Sequence, residues 1–521
     1  MCEDETLSRN LLRAAFLVGQ MTFLSRLLGL VRDGVIAAIF GTSHATDAFF
    51  VAFRIPNFLR RLFAEGAFSQ AFIPVLASYK AERTAEDIRS LLDAVTTALA
   101  TLLLVITAFG VVAAPLLVMV FAPGFVHDAD SFALSSELLR FTFPYLFFIS
   151  LTAVLGGILN TYGRFAVPAF TPVLLNVAMI SSALWLAPEL ERPIVALAIG
   201  VAIGGVLQVG LQIYAVQRIG LLPRFNWNWR HPGVQRILVL IGPAIFGVSV
   251  AQINFLIDTA VASYLPRGSV SWLYFSDRLM EFPLGIFGIA LGTVILPSLS
   301  EYHARGQHQV FSDTLDWGMR LIFVVTIPSA VGLIVLAGPI LSTLFQYGKM
   351  TEWDVVQSAK SLIAYAFGLS GFVCVKVLAP GFYARQDIRT PVKIGLAAVG
   401  CNLIFIFALK GPLQHAGLAL ATSLAAFVNA GLLFLVLYRD RVYRPRPGWL
   451  TFVARIFIAA GIMAAVLLGL RSPTALWSEW TPLLRALRLT GLLGLGILVY
   501  FGSCWALGLR LRHIVQPKSA I

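Results

Sequence analysis

The sequence predicts an all-α integral membrane protein of about fourteen transmembrane helices: two six-helix lobes related by a parallel internal repeat, plus two C-terminal helices. Three observations carry that prediction. The composition is the first: of 521 residues, 58% are hydrophobic and 12% charged, with a mean hydropathy of +0.83. Soluble chains carry about 25% charged residues, and no aqueous core absorbs this much apolar chain. Apolar windows of roughly 20 residues, the length that spans a bilayer, recur along the whole chain. Basic residues, finally, collect in alternate loops. Net charge is +13, which the positive-inside rule accounts for without invoking nucleic acid.

The spans fall near 11–40, 46–79, 90–121, 133–159, 166–187 and 194–217. A second series lies near 237–264, 270–300, 319–345, 355–383, 392–409 and 415–438, and two more near 449–470 and 484–508. Lys80, Arg83 and Arg89 mark one basic loop; Arg218, Arg224, Arg230 and Arg236 another; Arg439, Arg441, Arg444 and Arg446 a third. The intervening loops near 41–46 and 122–132 hold no Lys or Arg. Both termini are therefore expected in the cytoplasm, which requires an even number of spans. The polar, acidic stretch Met1–Asn10 does not read as a cleavable signal peptide. Four scattered cysteines give no disulfide or zinc spacing, and all seven histidines are expected in loops or the tail, away from any buried metal site.

A shift of about 223 residues aligns the chain with itself. FIPVLASYKA at 72–81 falls on ILPSLSEYHA at 295–304, and PLLVMVFAPG at 115–124 on PILSTLFQYG at 339–348 after a one-residue adjustment. Pro168 meets Pro391, and Arg218 meets Arg439 after a small gap. The expected division is therefore 1–220, a first six-helix lobe; 221–445, a second; and 446–521, two further helices with a tail. Six helices per half give both halves the same orientation, an arrangement typical of secondary transporters with substrate bound near the midplane.

Charges interrupt three spans. The first contains Arg26, Arg32 and Asp33; the second Asp47, Arg54, Arg60, Arg61 and Glu65; the eighth Asp277, Arg278 and Glu281. An arginine at the bilayer centre costs about 2.5–3.5 kcal/mol on insertion scales, so each needs a reason. Arg278 and Glu281, three residues apart on a helix, can pair. Arg60 and Arg61 can snorkel to an interface, and Asp47 can cap its helix. Arg26 and Arg32 have only Asp33 nearby in sequence. They lie about 9 Å and 120° apart on a straight helix and converge only if it bends, which Gly29 and Gly34 permit. Arginines facing a cavity suit an anion such as a pyrophosphate, which the guanidinium fork binds bidentately. The 223-residue shift sets Arg26 against Ser249 and Arg32 against Phe255, so this positive charge belongs to one lobe.

No phosphate loop, GxSxG elbow or HExxH motif is present, which argues against ATP hydrolysis and an enzyme. Asp277 and Glu281 sit beside arginine and read as ion-pairing rather than acid–base groups.

The segments FLSRLLGLVRD, TDAFFVAFRIPNFLRRLFAEGAFSQAFIPVLASY, GSVSWLYFSDRLMEFPLGIFGIALGTVILPSLS and VKVLAPGFYARQDIRTPVK closely resemble the bacterial lipid II flippases of the MurJ/MviN family, with matching segments from about residue 9 to 450. The resemblance implies the multidrug/oligosaccharidyl-lipid/polysaccharide exporter fold. It implies lipid II, the undecaprenyl-pyrophosphate-linked disaccharide pentapeptide, as substrate in the bacterial inner membrane; alternating access of the two lobes is the mechanism expected here. It implies that Arg26, Arg32 and Arg278 hold the pyrophosphate, and that Asp33, Asp47, Arg60, Arg61 and Glu281 are charged positions tied to function; Asp277, one turn before Glu281, is a further candidate for the site. Membrane lipids and cell-wall synthesis proteins are the partners it implies. No metal or organic cofactor is expected; a coupling ion or the membrane potential is left open as energy source. The competing readings are a flippase for another lipid-linked oligosaccharide, a drug/cation antiporter of the same fold, which calls for an acidic cavity, a membrane glycosyltransferase, which calls for large catalytic loops, and a structural cell-wall partner.

Overall fold

The computed structural model describes residues 2–62, 68–285 and 289–509. All regular structure among them is helical. Among the described residues nine helices are each long and apolar enough to cross a membrane, and large apolar side chains point outward along them: on the third span Leu104, Val105, Phe109 and Val112 are all exposed. Such an apolar exterior suits lipid and not water. The chain is a multi-pass membrane protein.

Contacts divide it after Gly268 into two compact units. The first holds α1 (Cys2–Phe40), α2 (His44–Arg60), α3 (Ser69–Glu82), α4 (Ala85–Val112), α5 (Ala114–Phe121), α6 (Ala129–Thr142), α7 (Tyr145–Thr161), α8 (Ala166–Ser181), α9 (Val195–Arg218) and α10 (Pro232–Ala262). The second holds α11 (Ser269–Pro283), α12 (Ile289–Ala304), α13 (His308–Val335), α14 (Ala337–Phe345), α15 (Glu352–Tyr383), α16 (Arg389–Arg439), α17 (Trp449–Leu470), α18 (Thr474–Glu479) and α19 (Pro482–Ala506). Pairs such as α2/α3 and α4/α5 each cover one expected span, and α16 covers two. The order of elements is consistent with fourteen.

The repeat seen in the letters recurs in the breaks. α4 ends at Ala113 and α13 at Leu336, 336 − 113 = 223 positions later, each with ψ near zero and a proline close behind. α6 begins at Ala129 and α15 at Glu352, and α8 at Ala166 and α16 at Arg389, again 223 apart. Downstream of Pro56 and at Pro283 the α-helical pattern widens, at Arg61–Leu62 and Leu284–Gly285, at the same offset. Proline removes one helical hydrogen bond and crowds the preceding turn, which accounts for the repeated break just before Pro115 and Pro339.

Close packing inside the first unit depends on missing side chains. α8 and α9 approach through Gly200 and Gly204, where an added Cβ would lie 2.9 Å from Ser182 and 2.8 Å from Leu175. Small residues four apart are the usual means of bringing membrane helices together. Gly124 is tighter still. Its N–H donates to Ser263 Oγ at 2.8 Å, and a Cβ would meet the Ser263 backbone at 2.4 Å. Backbone cannot swing aside as a side chain can, so Gly124→Ala is expected to cost about 1–3 kcal/mol by overpacking, read as a lowered thermal midpoint of the purified protein. An unchanged midpoint would mean that α10 gives way freely here.

The second unit is tied by charged groups at both ends of its added helices. Asp316 of α13, 1% exposed, accepts from Arg320 Nε at 2.8 Å, Tyr443 Oη at 3.1 Å, the Arg446 N–H at 3.1 Å and Trp449 Nε1 at 2.6 Å, which fixes the start of α17. Arg485 of α19, also buried, donates to the carbonyls of Ser342 and Gln346 at 3.0 and 2.9 Å. Those carbonyls end α14, where a cation meets the negative end of the helix.

One expectation is corrected, and one open alternative is decided. His415 is not in an exposed loop: it is 1% exposed, its ring centroid is 4.9 Å from that of Trp272, and its Nε2 lies 3.0 Å from the Gln357 carbonyl. The connection between the eleventh and twelfth spans contracts to a kink at Gln414 (φ 51°, ψ −127°) inside α16, which leaves no room for a loop. Asp47 is not the cap of α2. Ser43 caps it, accepting from Thr46 N at 3.3 Å, and Asp47 sits in the first turn.

Candidate functional site

α1 runs without a break through Gly29 and Gly34, so Arg26 and Arg32 stay on different faces of one helix. Their surroundings differ sharply. Arg32 is 6% exposed and its guanidinium is filled: Nε and Nη2 donate to Asp33 Oδ1 at 2.9 and 2.7 Å, and Nη1 donates to Asn176 Oδ1 at 3.1 Å. Asn176, on α8, also donates to the Ser25 carbonyl at 3.0 Å and so bridges two levels of α1. Gly29 lies between those levels, where a Cβ would touch Asn176 at 3.9 Å. A buried charge needs a counter-charge and hydrogen-bond partners, and Arg32 has a carboxylate beside it and a bond from each of its three nitrogens. Arg26 is half-buried and, among the described residues, has no hydrogen-bond or ion-pair partner.

The α2 charges separate into two groups. Asp47, 4% exposed, accepts from the Gly268 N–H at 2.6 Å. It lines a cavity of about 260 Å³ with His44, His127, Asp128, Tyr264 and Arg267. At the rim Arg267 pairs with Asp128 at 3.0 Å, and the Ser131 hydroxyl, with Arg267, holds the Asp128 carboxyl below its usual 3.8. Nearer the other end, Arg54 and Arg61 both reach Phe255 of α10, their guanidinium carbons 5.3 and 5.9 Å from the ring centroid. Seven residues is about two turns, so the two arginines share a face. Arg54 also donates to Thr259 Oγ1 at 3.2 Å. Arg60 turns back to Asn57 Oδ1 at 3.3 Å. Arg60 and Arg61 are half-buried, and Glu65 lies outside the described residues.

In the second unit Arg278 of α11 pairs with Glu281 at 3.2 Å, donates from Nη2 to Tyr274 Oη at 3.3 Å, and lies 5.1 Å over the Tyr274 ring. Both side chains are about one-third exposed (34% and 39%), so the pair is worth little in stability and its guanidinium stays accessible. Asp277 is half-buried beside it.

The sequence reading left two participants out of the site. Asn176 was legible only as a lone amide in the apolar run VLLNVAM, and nothing in spacing links it to α1. Arg54 was visible as a charge, but its partner Phe255 is two hundred residues away. Chemically, the charged spans α1 and α2 offer the Arg26 guanidinium, which has no hydrogen-bond or ion-pair partner among the described residues, a cationic pair over an aromatic ring, and a carboxylate at the opposite end. Among the described residues no group of three His, Cys, Asp or Glu side chains could hold a metal.

Such an assembly, all-helical, duplicated, and carrying arginines inside apolar spans, belongs to the class of membrane transporters. A solved multidrug-resistance MATE-family transporter of the MOP superfamily, inward-facing, shares the fold at a TM-score of 0.64 and 16% identity, covering 82% of this chain and 98% of that one. The family model described as "Lipid II flippase MurJ" matches residues 36–487. The chain is 47% identical over 518 residues to the probable lipid II flippase MurJ of Vibrio cholerae, covering 98% of this chain and 99% of that protein. It is 44% identical over 513 residues to the lipid II flippase MurJ of Burkholderia cenocepacia, covering 97% and 99%. A solved lipid II flippase MurJ in an inward closed conformation superposes at a TM-score of 0.80 with 27% identity, covering 96% of this chain and all of that one. The chain belongs to the MurJ family, a family of transporters and not of enzymes.

Proposed function

We propose that this protein moves lipid II from the cytoplasmic to the periplasmic leaflet of the bacterial inner membrane by alternating access, with arginines engaging the pyrophosphate. The observation that carries the reading is Arg26: a half-buried guanidinium within an apolar span, uncommitted among the described residues. In a low-dielectric setting such a group favours a bidentate oxyanion. Arg278, accessible beside Glu281, is the second proposed contact; Arg32, held by Asp33 and Asn176, keeps the first helix seated. Asp47, Arg60, Arg61, Asp277 and Glu281 tune the local charge. The lobes are read as 1–220 and 221–445, with 446–521 added for the polyprenyl tail, and both termini in the cytoplasm. The membrane potential, worth about 2.3 kcal/mol per charge per 100 mV, is one source of drive. Membrane lipids and cell-wall synthesis proteins are the proposed partners.

A drug/cation antiporter of this fold calls for an acidic cavity, whereas α1 carries two arginines and one aspartate across its apolar part. Another lipid-linked oligosaccharide would use the same pyrophosphate contacts. The deciding experiment depletes a host of its own lipid II flippase, supplies this chain, and measures lipid II in the outer leaflet. Restored growth with restored exposure of lipid II is expected. Normal membrane insertion without any exposed lipid II would overturn the reading.

A further inference from the structure

The connection between α9 and α10 carries aromatic groups in a place where loops are usually polar. Residues 217–236 contain Arg218, Arg224, Arg230 and Arg236 and no acidic residue; all four arginines are exposed. Between them Phe225 is 80% exposed and Trp227 59%. Their rings form a row, Phe225 to Trp227 at 6.5 Å between centroids and Trp227 to Trp229 at 5.7 Å, and Trp229 packs inward against the core of the unit.

The segment is strapped along α4. Alternate backbone N–H groups donate to it: Arg224 N to Asp93 Oδ1 at 2.7 Å and Asn226 N to Thr97 Oγ1 at 2.9 Å. Asp93 and Thr97 are about 6 Å apart along the helix, about the length of two extended residues. Asp93 is the last charged residue of α4. The strap therefore holds Phe225 and Trp227 level with the turn where α4 changes from charged to apolar, which is the headgroup depth at which tryptophan concentrates. Arg89, one turn before Asp93, reaches the Gly220 carbonyl at 3.4 Å and adds to the basic rim.

We propose that this strap is an anchor for anionic phospholipid headgroups, its arginines binding phosphates while Phe225 and Trp227 enter the interface. Charge complementarity selects the occupant: arginines without acidic residues repel a basic partner, and exposed rings at the polar–apolar boundary favour a lipid surface over solvent. The inference rests on the topology that places this loop on the cytoplasmic side only for which leaflet is bound.

The test places a quenchable fluorophore on Trp227→Cys, in the full chain with its four native cysteines replaced by serine, reconstituted into nanodiscs of phosphatidylcholine with or without phosphatidylglycerol. Lipids brominated on the acyl chain near the headgroup are expected to quench the probe strongly only with phosphatidylglycerol present. Arg224→Ala and Arg230→Ala should each weaken the apparent affinity for phosphatidylglycerol about fivefold at low salt. Equal quenching in both lipids, or none in either, would overturn the anchor; a probe shielded only by an added protein would mark a protein-docking site instead. An impermeant thiol reagent applied to oriented vesicles carrying the same cysteine variant reports the side of the membrane. A periplasmic result would sink the topology and leave the anchor standing.

Discussion

Replacing Asp33 with alanine is expected to destabilise the first unit by about 3–5 kcal/mol, the typical cost of stranding one member of a buried ion pair. Asp33 is 1% exposed and receives two of the Arg32 N–H groups at 2.9 and 2.7 Å. Without it buried Arg32 keeps the Asn176 amide and loses the carboxylate that takes two of its N–H groups. The cost comes from the abandoned guanidinium more than from the lost attraction. Arg32→Met combined with Asp33→Leu should therefore recover most of the loss, since apolar replacement of a whole buried pair is often neutral. Thermal unfolding of the three proteins in one detergent or nanodisc checks this. If the double variant falls as far as Asp33→Ala, the pair acts through something other than mutual neutralisation.

Arg26→Ala is expected to do the reverse, leaving the fold intact and removing transport. A hydrogen bond to a charged group is worth about 1.5–3 kcal/mol, so the rate of lipid II exposure should fall roughly ten- to hundredfold. Arg26 has no partner among the described residues to strand, and the thermal midpoint should stay near that of the parent. Arg26→Lys keeps the charge but loses the planar fork, and an intermediate rate is expected because lysine meets phosphate as a point charge. Full exposure of lipid II by Arg26→Ala would remove the observation on which the proposed function rests. Together the two variants separate the arginines of α1: one is felt in stability, the other in transport.

Much was legible because one-dimensional signals were strong. An apolar run of twenty residues has no aqueous solution, so the helices followed from composition and length. Duplicated prolines at a fixed offset announced the repeat, and Pro115 and Pro339 follow breaks that the structure places 223 residues apart at Ala113 and Leu336. The pairing of Arg278 with Glu281 needed only helical spacing. The different fates of Arg26 and Arg32 needed more. Both stand in the same apolar stretch, and only the approach of α8, with Asn176 opposite Gly29, turns one into a buried structural charge. For Asp47 the sequence left a cap and a functional role both open, because Gly268, its partner at 2.6 Å, is 268 − 47 = 221 residues away.

By itself, then, the sequence determined the solvent, the class of element, the duplication and the presence of costly charge in the spans, since each depends on transfer free energy or local geometry. Which charge is neutralised, which carboxylate meets a distant backbone N–H, and why His415 is buried were decided only by tertiary structure. Hydrogen bonds and ion pairs require contact within a few ångströms, and that distance is set by packing between helices that lie far apart in the chain.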